Sequence, residues 1–151
     1  MYTNQNRDVF TTIAQGFTAS KAAATLPATG NQTIFTISGG RVLVSLLLGQ
    51  VTTLCDATAT NLKITSVPTV GTAGDVAANL AIANLEAGTL LVAEGDGTAL
   101  IGVNAGFAPA LINVPFILPA GILRITTSAT NAGATKWDIW YHPLDQGASV
   151  S

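Results

Sequence analysis

Charge is scarce in this chain. Only 9% of its 151 residues are Asp, Glu, Lys or Arg, where ordinary soluble domains carry about 25%. The six basic residues, Arg7, Lys21, Arg41, Lys63, Arg124 and Lys136, stand singly, and the net charge is −2. Phosphate binding needs Lys and Arg in clusters, so no nucleic-acid partner is expected. Cysteine is nearly absent as well: Cys55 stands alone and has no intramolecular partner for a disulfide. The greasiest run, 42–48, falls far short of the ~20 residues that cross a bilayer, so no membrane is expected either. The polar start, Met1 through Asp8, lacks the apolar h-region of a signal peptide. Synthesis and folding in a cytoplasm follow as the expectation.

The groups that carry catalysis are equally thin. His142 is the single histidine. A Ser-His-Asp arrangement would have to use it with Asp138 or Asp145 as orienter, yet no G-x-S-x-G elbow is present. One Cys and one His do not make a zinc site, and Glu94 with Asp96 offers too few carboxylates for calcium. The glycines show neither dinucleotide-binding nor Walker-type spacing, and the eight acids are scattered singly rather than paired for glycoside hydrolysis. The chain is therefore read as a non-enzyme with no metal and no cofactor.

What is present is apolar and β-forming. Hydrophobic residues make up 48%, the opposite of a disordered composition, and a chain of this length buries roughly 68–70% of its unfolded surface. From Thr33 onward, short apolar or β-branched runs alternate with Gly, Pro, Asn and Asp. Strands are expected at 33–38, 41–48, 51–55, 60–67, 76–83, 89–94, 98–104, 111–118, 121–127 and 135–142. The run 42–48 is apolar on both faces and reads as a central strand covered on both sides. Asp75 and the Ala content of 75–87 would also suit a helix, although the strand neighbours and Gly88 favour strand plus loop. Turns are expected at Asp96-Gly97, Pro119-Ala120-Gly121 and Asn131-Ala132-Gly133, and Pro115 marks an edge strand or bulge. Eight to ten short strands with few helices give an all-β sandwich, with a jelly roll as the first choice.

Residues 1–32 read as an extended N-terminal arm ahead of a β domain at 33–151. Phe10, Ile13 and Phe17 fall at i, i+3 and i+7, the spacing of one helical face, with Asp8 as a cap. They are candidate interface residues, the alternative being an arm that packs on its own domain. On 135–142, period two puts Trp137, Ile139 and Tyr141 on one face and Lys136, Asp138, Trp140 and His142 on the other. Lys136 and Asp138 are costly to bury, so Trp137 is assigned to the core, and Trp140 and His142 to a protein-binding surface.

The runs Gly121-Ile122-Leu123-Arg124-Ile125 and Gly133 through Leu144, with Gly40 through Gly49 and Ala87-Gly88-Thr89-Leu90-Leu91, resemble the small head-decoration (cement) proteins of tailed bacteriophages. In that family a β-sandwich or jelly roll ends in an aromatic strand of Trp-x-x-x-Tyr-x-Pro type followed by a short polar tail. The resemblance spans about residues 33–147. It implies a structural protein, often trimeric, on the outer surface of a virion, clamping neighbouring copies of the major capsid protein, with the arm reaching over the lattice. A surface of Thr, Asn, Ser and Gly rather than Lys and Glu also suits life against other proteins. The alternative is a receptor- or glycan-binding jelly roll of a phage tail or baseplate, for which Trp140, Tyr141, Phe107 and Phe116 are the available aromatics.

Overall fold

The computed structural model describes residues 16–103 and 115–151. Among these the secondary structure is entirely strand: β1 (Phe17–Thr25), β2 (Gly30–Ser38), β3 (Val42–Thr53), β4 (Asn61–Pro68), β5 (Gly74–Ala81), β6 (Leu90–Val92), β7 (Ile101–Val103), β8 (Phe116–Leu118), β9 (Gly121–Thr127), β10 (Ala134–Pro143) and β11 (Ser149–Val150). They form two antiparallel sheets. One runs β1-β10-β3-β6-β7, with β8 also paired to β3, and the other runs β11-β2-β9-β4-β5. Eight of the strands give the orders β1-β10-β3-β6 and β2-β9-β4-β5. The first strand thus lies beside β10, the second beside β9, the third beside β6 and the fourth beside β5, which is the winding of a jelly roll. β7, β8 and β11 are additions to that frame.

The two sheets enclose one core. Val42, Val44, Leu47, Leu91, Trp137 and Ile139 from the six-stranded sheet pack with Phe35, Ile37, Leu62, Ile64, Leu123 and Ile125 from the other. Most alternate with less buried neighbours, as a pleated strand requires, whereas Phe35, Ile64 and Leu91 each stand beside a second buried residue, Ile34, Thr65 and Val92. The ambiguous stretch 75–87 resolves as strand β5 followed by loop, with Val76 and Ala77 both buried. Thr98 donates its backbone N–H (2.9 Å) and its hydroxyl (2.5 Å) to Asp96, closing the expected turn between β6 and β7. Pro115 immediately precedes the three-residue β8, which among the described residues pairs with one end of β3.

Three expectations are corrected. The Gly49-Gln50 break expected between two strands lies inside the single twelve-residue β3. Gly49 pairs with Trp137, and a Cβ there would fall 2.6 Å from the indole ring. The glycine makes room for the largest core side chain; it does not turn the chain. The boundary expected at residue 32 falls inside β2, and Phe17–Thr25 is the jelly roll's first strand. As an edge strand lying almost wholly in solvent, β1 has no buried face to print an alternating pattern in the sequence. The polar tail, finally, is tied down. Ser149–Val150 pairs with β2, and Ser151 exchanges backbone hydrogen bonds with Thr36 at 2.7 and 3.0 Å. Ahead of it, Arg41 forks onto Asp145 through Nε (2.9 Å) and Nη2 (2.7 Å), and its backbone N–H adds a third bond at 2.7 Å.

Candidate interaction surface

The outer faces of the two sheets differ in chemistry. On the five-stranded sheet, Arg124 of β9 is flanked by Thr33 of β2 and Thr65 of β4, which pairs in turn with Asp75 of β5. Asp75 accepts hydrogen bonds from Thr65 Oγ1 at 2.8 Å and Lys63 Nζ at 3.1 Å. Those bonds, Thr65 first, hold its carboxyl below the usual carboxylate range. Thr126 and Asn31 extend the polar row with a side-chain hydrogen bond of 2.6 Å. This face is polar and linked by side-chain hydrogen bonds, although Thr65 is buried and, among the described residues, the buried Nε of Arg124 has no hydrogen-bond partner.

The outer face of the six-stranded sheet carries an apolar stripe along β3. Val42, Val44, Leu47 and Val51 point into the core, whereas Leu43, Leu46 and Leu48 point outward and are half-buried. A bulge at Ser45 keeps the stripe continuous. There the register moves from Trp140↔Leu46 to Tyr141↔Val44, and Ser45 donates its hydroxyl to the Trp140 carbonyl at 3.2 Å. Cross-strand pairing adds Ile117, which is 57% exposed, beside Leu43, and Trp140 beside Leu46. Lys136 with Gln50, and Asp138 with Ser20, form the polar margin; the Ser20 hydroxyl donates to Asp138 at 2.5 Å.

β10 separates the tryptophans as its period demands. Trp137 is 1% exposed and its indole N–H donates to Thr135 Oγ1 at 3.1 Å, while Trp140 and His142 lie half-buried on the outer face. Phe17 does not join them. It opens β1 opposite Tyr141, on the inward side of the sheet edge, with ring centroids 5.8 Å apart. The helical face drawn through Phe10, Ile13 and Phe17 therefore does not extend to Phe17, and Phe10 and Ile13 lie outside the described residues. Sequence reasoning passed over Leu43, Leu46, Leu48 and Ile117. For the three leucines the two-sided apolar run 42–48 was the signal, read as a strand covered on both faces when the second sheet covers only one. Of the aromatics available to a glycan, Tyr141 is buried, Phe116 packs against the core, and Phe107 lies outside the described residues.

The two carboxylates nearest His142 in sequence are both engaged, Asp138 by Ser20 and Asp145 by Arg41. Among the described residues no group of three or more His, Cys, Asp or Glu side chains is placed to hold a metal ion.

No family model matches the chain, and no curated protein does. A search of solved structures gives one weak likeness. It is to a chain in the structure of infectious bursal disease virus Gx strain, at 16% identity and a TM-score of 0.24, over 91% of this chain and 34% of that one. This chain thus spans about a third of its length. A likeness at that level carries no functional argument, and the reading rests on the surface just described.

Proposed function

We propose that this chain is a structural virion protein that docks on the outer surface of a tailed-phage capsid and stabilises contacts between major capsid protein subunits. The carrying observation is the apolar stripe of Leu43, Leu46, Leu48 and Ile117 with Trp140 at its side, on a molecule whose opposite sheet face is polar. Interfaces are anchored by large aromatics at centres depleted in charge, and Trp140 and His142 supply the aromatic part here. The resemblance of the β10 run to decoration proteins supports the same reading. On it the chain is a homo-oligomer, most simply a trimer, made in the host cytoplasm and carried on the virion exterior. It performs no catalysis and uses no cofactor.

The test is co-sedimentation of the purified protein with undecorated tailed-phage capsids, followed by imaging of the bound copies. Saturable binding at symmetric lattice positions is expected, weakened roughly tenfold or more by Trp140→Ala, the loss typical of an interface anchor. Saturable binding to an oligosaccharide panel, with none to capsids, would replace this reading with the tail or baseplate adhesin.

A further inference from the structure

The outer face of the five-stranded sheet holds one charge that its surroundings leave unanswered. β9 is the central strand of that sheet. Leu123 and Ile125 are sealed in the core, so Arg124 between them points outward in the middle of the face. Its row across the sheet is Thr33, Arg124, Thr65 and Asp75. Asp75 is already engaged by Thr65 and by Lys63, which neutralises Lys63 and leaves Arg124 uncompensated. Among the described residues Arg124 makes no hydrogen bond and no ion pair, and its Nε is shut off from solvent. The side chain therefore lies down on the sheet with a charged donor unmet, a costly arrangement. Thr33 is exposed beside it, with its hydroxyl bonded to no described residue. Of the two flanking rows, one is polar and engaged, Thr126 with Asn31 and Lys63 with Asp75. The other is half-buried and apolar, with Ile122 paired to Val67.

We propose that Arg124 anchors a second interaction site, on this face, for an aspartate or glutamate side chain of a partner protein. The arginine fork meets a carboxylate with two parallel N–H donors, and Thr33 offers a hydroxyl in the same row. To present Nε together with an Nη, the side chain rises off the sheet, and rising breaks no hydrogen bond because none is made. The carboxylate then satisfies the donor that the free molecule leaves orphaned. Ile122 and Val67 supply apolar ground beside it, which suits the residue adjoining the acid on a protein chain. The charge pattern selects a lone, singly charged acid. The second charge of a phosphate would fall near Asp75, and a nucleic-acid backbone needs clustered cations. A sugar acid is disfavoured too, because sugar sites are lined by aromatic rings. Phe35, the only aromatic residue on the five strands, is buried in the core. The site lies on the opposite sheet from the apolar stripe and stands independently of the capsid reading. It gives the molecule a binding face on each side.

NMR of the isotope-labelled full-length protein tests it through the arginine Nε–H signals. The Arg124 signal is assigned by its disappearance in Arg124→Met, and the probe is the capped tripeptide acetyl-Ile-Glu-Ile-amide. That signal is expected to shift saturably with the peptide in the millimolar range, more weakly as salt is raised, and to stay in place with the glutamine counterpart. Arg41 is the internal control, since its Nε already donates to Asp145 at 2.9 Å. Arg124→Met keeps an apolar stem on the sheet and removes the orphaned donor, so its melting temperature is expected to equal or exceed that of the parent. A melting temperature lowered by several degrees would make Arg124 a structural residue and overturn the proposal. Equal shifts with the glutamine peptide, or no saturable shift with either peptide, would overturn it as well. Tighter binding of inorganic phosphate or glucuronate, titrated separately, would overturn it in favour of a phosphate or sugar-acid site.

Discussion

Trp137 and Trp140 stand three positions apart on β10 and face opposite sides of the sheet, so the same substitution has two different outcomes. Trp137 fills the space over Gly49 and is almost wholly buried. Trp137→Ala is expected to cost about 3–5 kcal/mol, a large share of a domain's 5–15 kcal/mol, and thermal or urea unfolding measures it. Trp140→Ala removes a half-buried ring from the outer face and is expected to cost under about 1 kcal/mol in the same experiment. An equal loss for both would mean that the outer face is as firmly covered as the core. The Arg41 fork on Asp145 gives a pH dependence of definite sign. Arg41 holds the Asp145 carboxyl well below the usual carboxylate range, first by side-chain hydrogen bonding, whereas the unfolded chain titrates near ~3.9. The unfolded state therefore binds the proton more readily. The contribution is complete above about pH 4 and is lost as pH falls below it. Asp75 acts in the same direction. Melting temperature is expected to fall with pH below about 4, and less steeply in Asp145→Asn; identical slopes would remove Asp145 from the account.

At the scale of elements, β1 and the segment before it respond differently to truncation. β1 pairs with β10 from Phe17↔Tyr141 to Thr25↔Ala134, with a bulge between Lys21 and Ala24. Deleting residues 1–15 leaves this ladder whole, and circular dichroism and the melting transition are expected to stay close to those of the full chain. Deleting residues 1–25 removes the strand and bares the edge of β10, a template for pairing between chains. That variant is expected to melt at a markedly lower temperature and to self-associate, as light scattering would record. Lys21 on the exposed edge is the kind of charge that discourages such pairing in the intact molecule. Equal melting temperatures for the two deletions would mean that β1 adds nothing to the sandwich.

For the whole molecule, the jelly-roll winding sets the folding problem. Its first strand pairs with its tenth and its second with its ninth, so the sheets close only through contacts far apart in sequence. Loop-closure entropy must be met before those contacts stabilise anything, and all-β domains of this kind fold in milliseconds to seconds. Stopped-flow refolding followed by tryptophan emission is expected to relax on that scale; a microsecond relaxation would contradict the topology.

Much of this was legible in the residues themselves. Period two on β10 depends only on which side chains tolerate water, so the inward placement of Trp137, Ile139 and Tyr141 followed from the chain alone. The outward placement of Trp140 and His142 followed with it. The sandwich class and the turn at Asp96-Gly97 were likewise local matters of apolar spacing and backbone freedom. Tertiary structure decided the rest, because it turned on who lies opposite whom. Gly49 reads as a break between two strands until Trp137 is seen to need its missing Cβ. β1 reads as an arm because an exposed edge strand is specified by its partner's backbone rather than by its own side chains. The stripe of Leu43, Leu46 and Leu48 reads as a core until the second sheet is placed, since an apolar residue states a preference for burial without naming the surface that buries it.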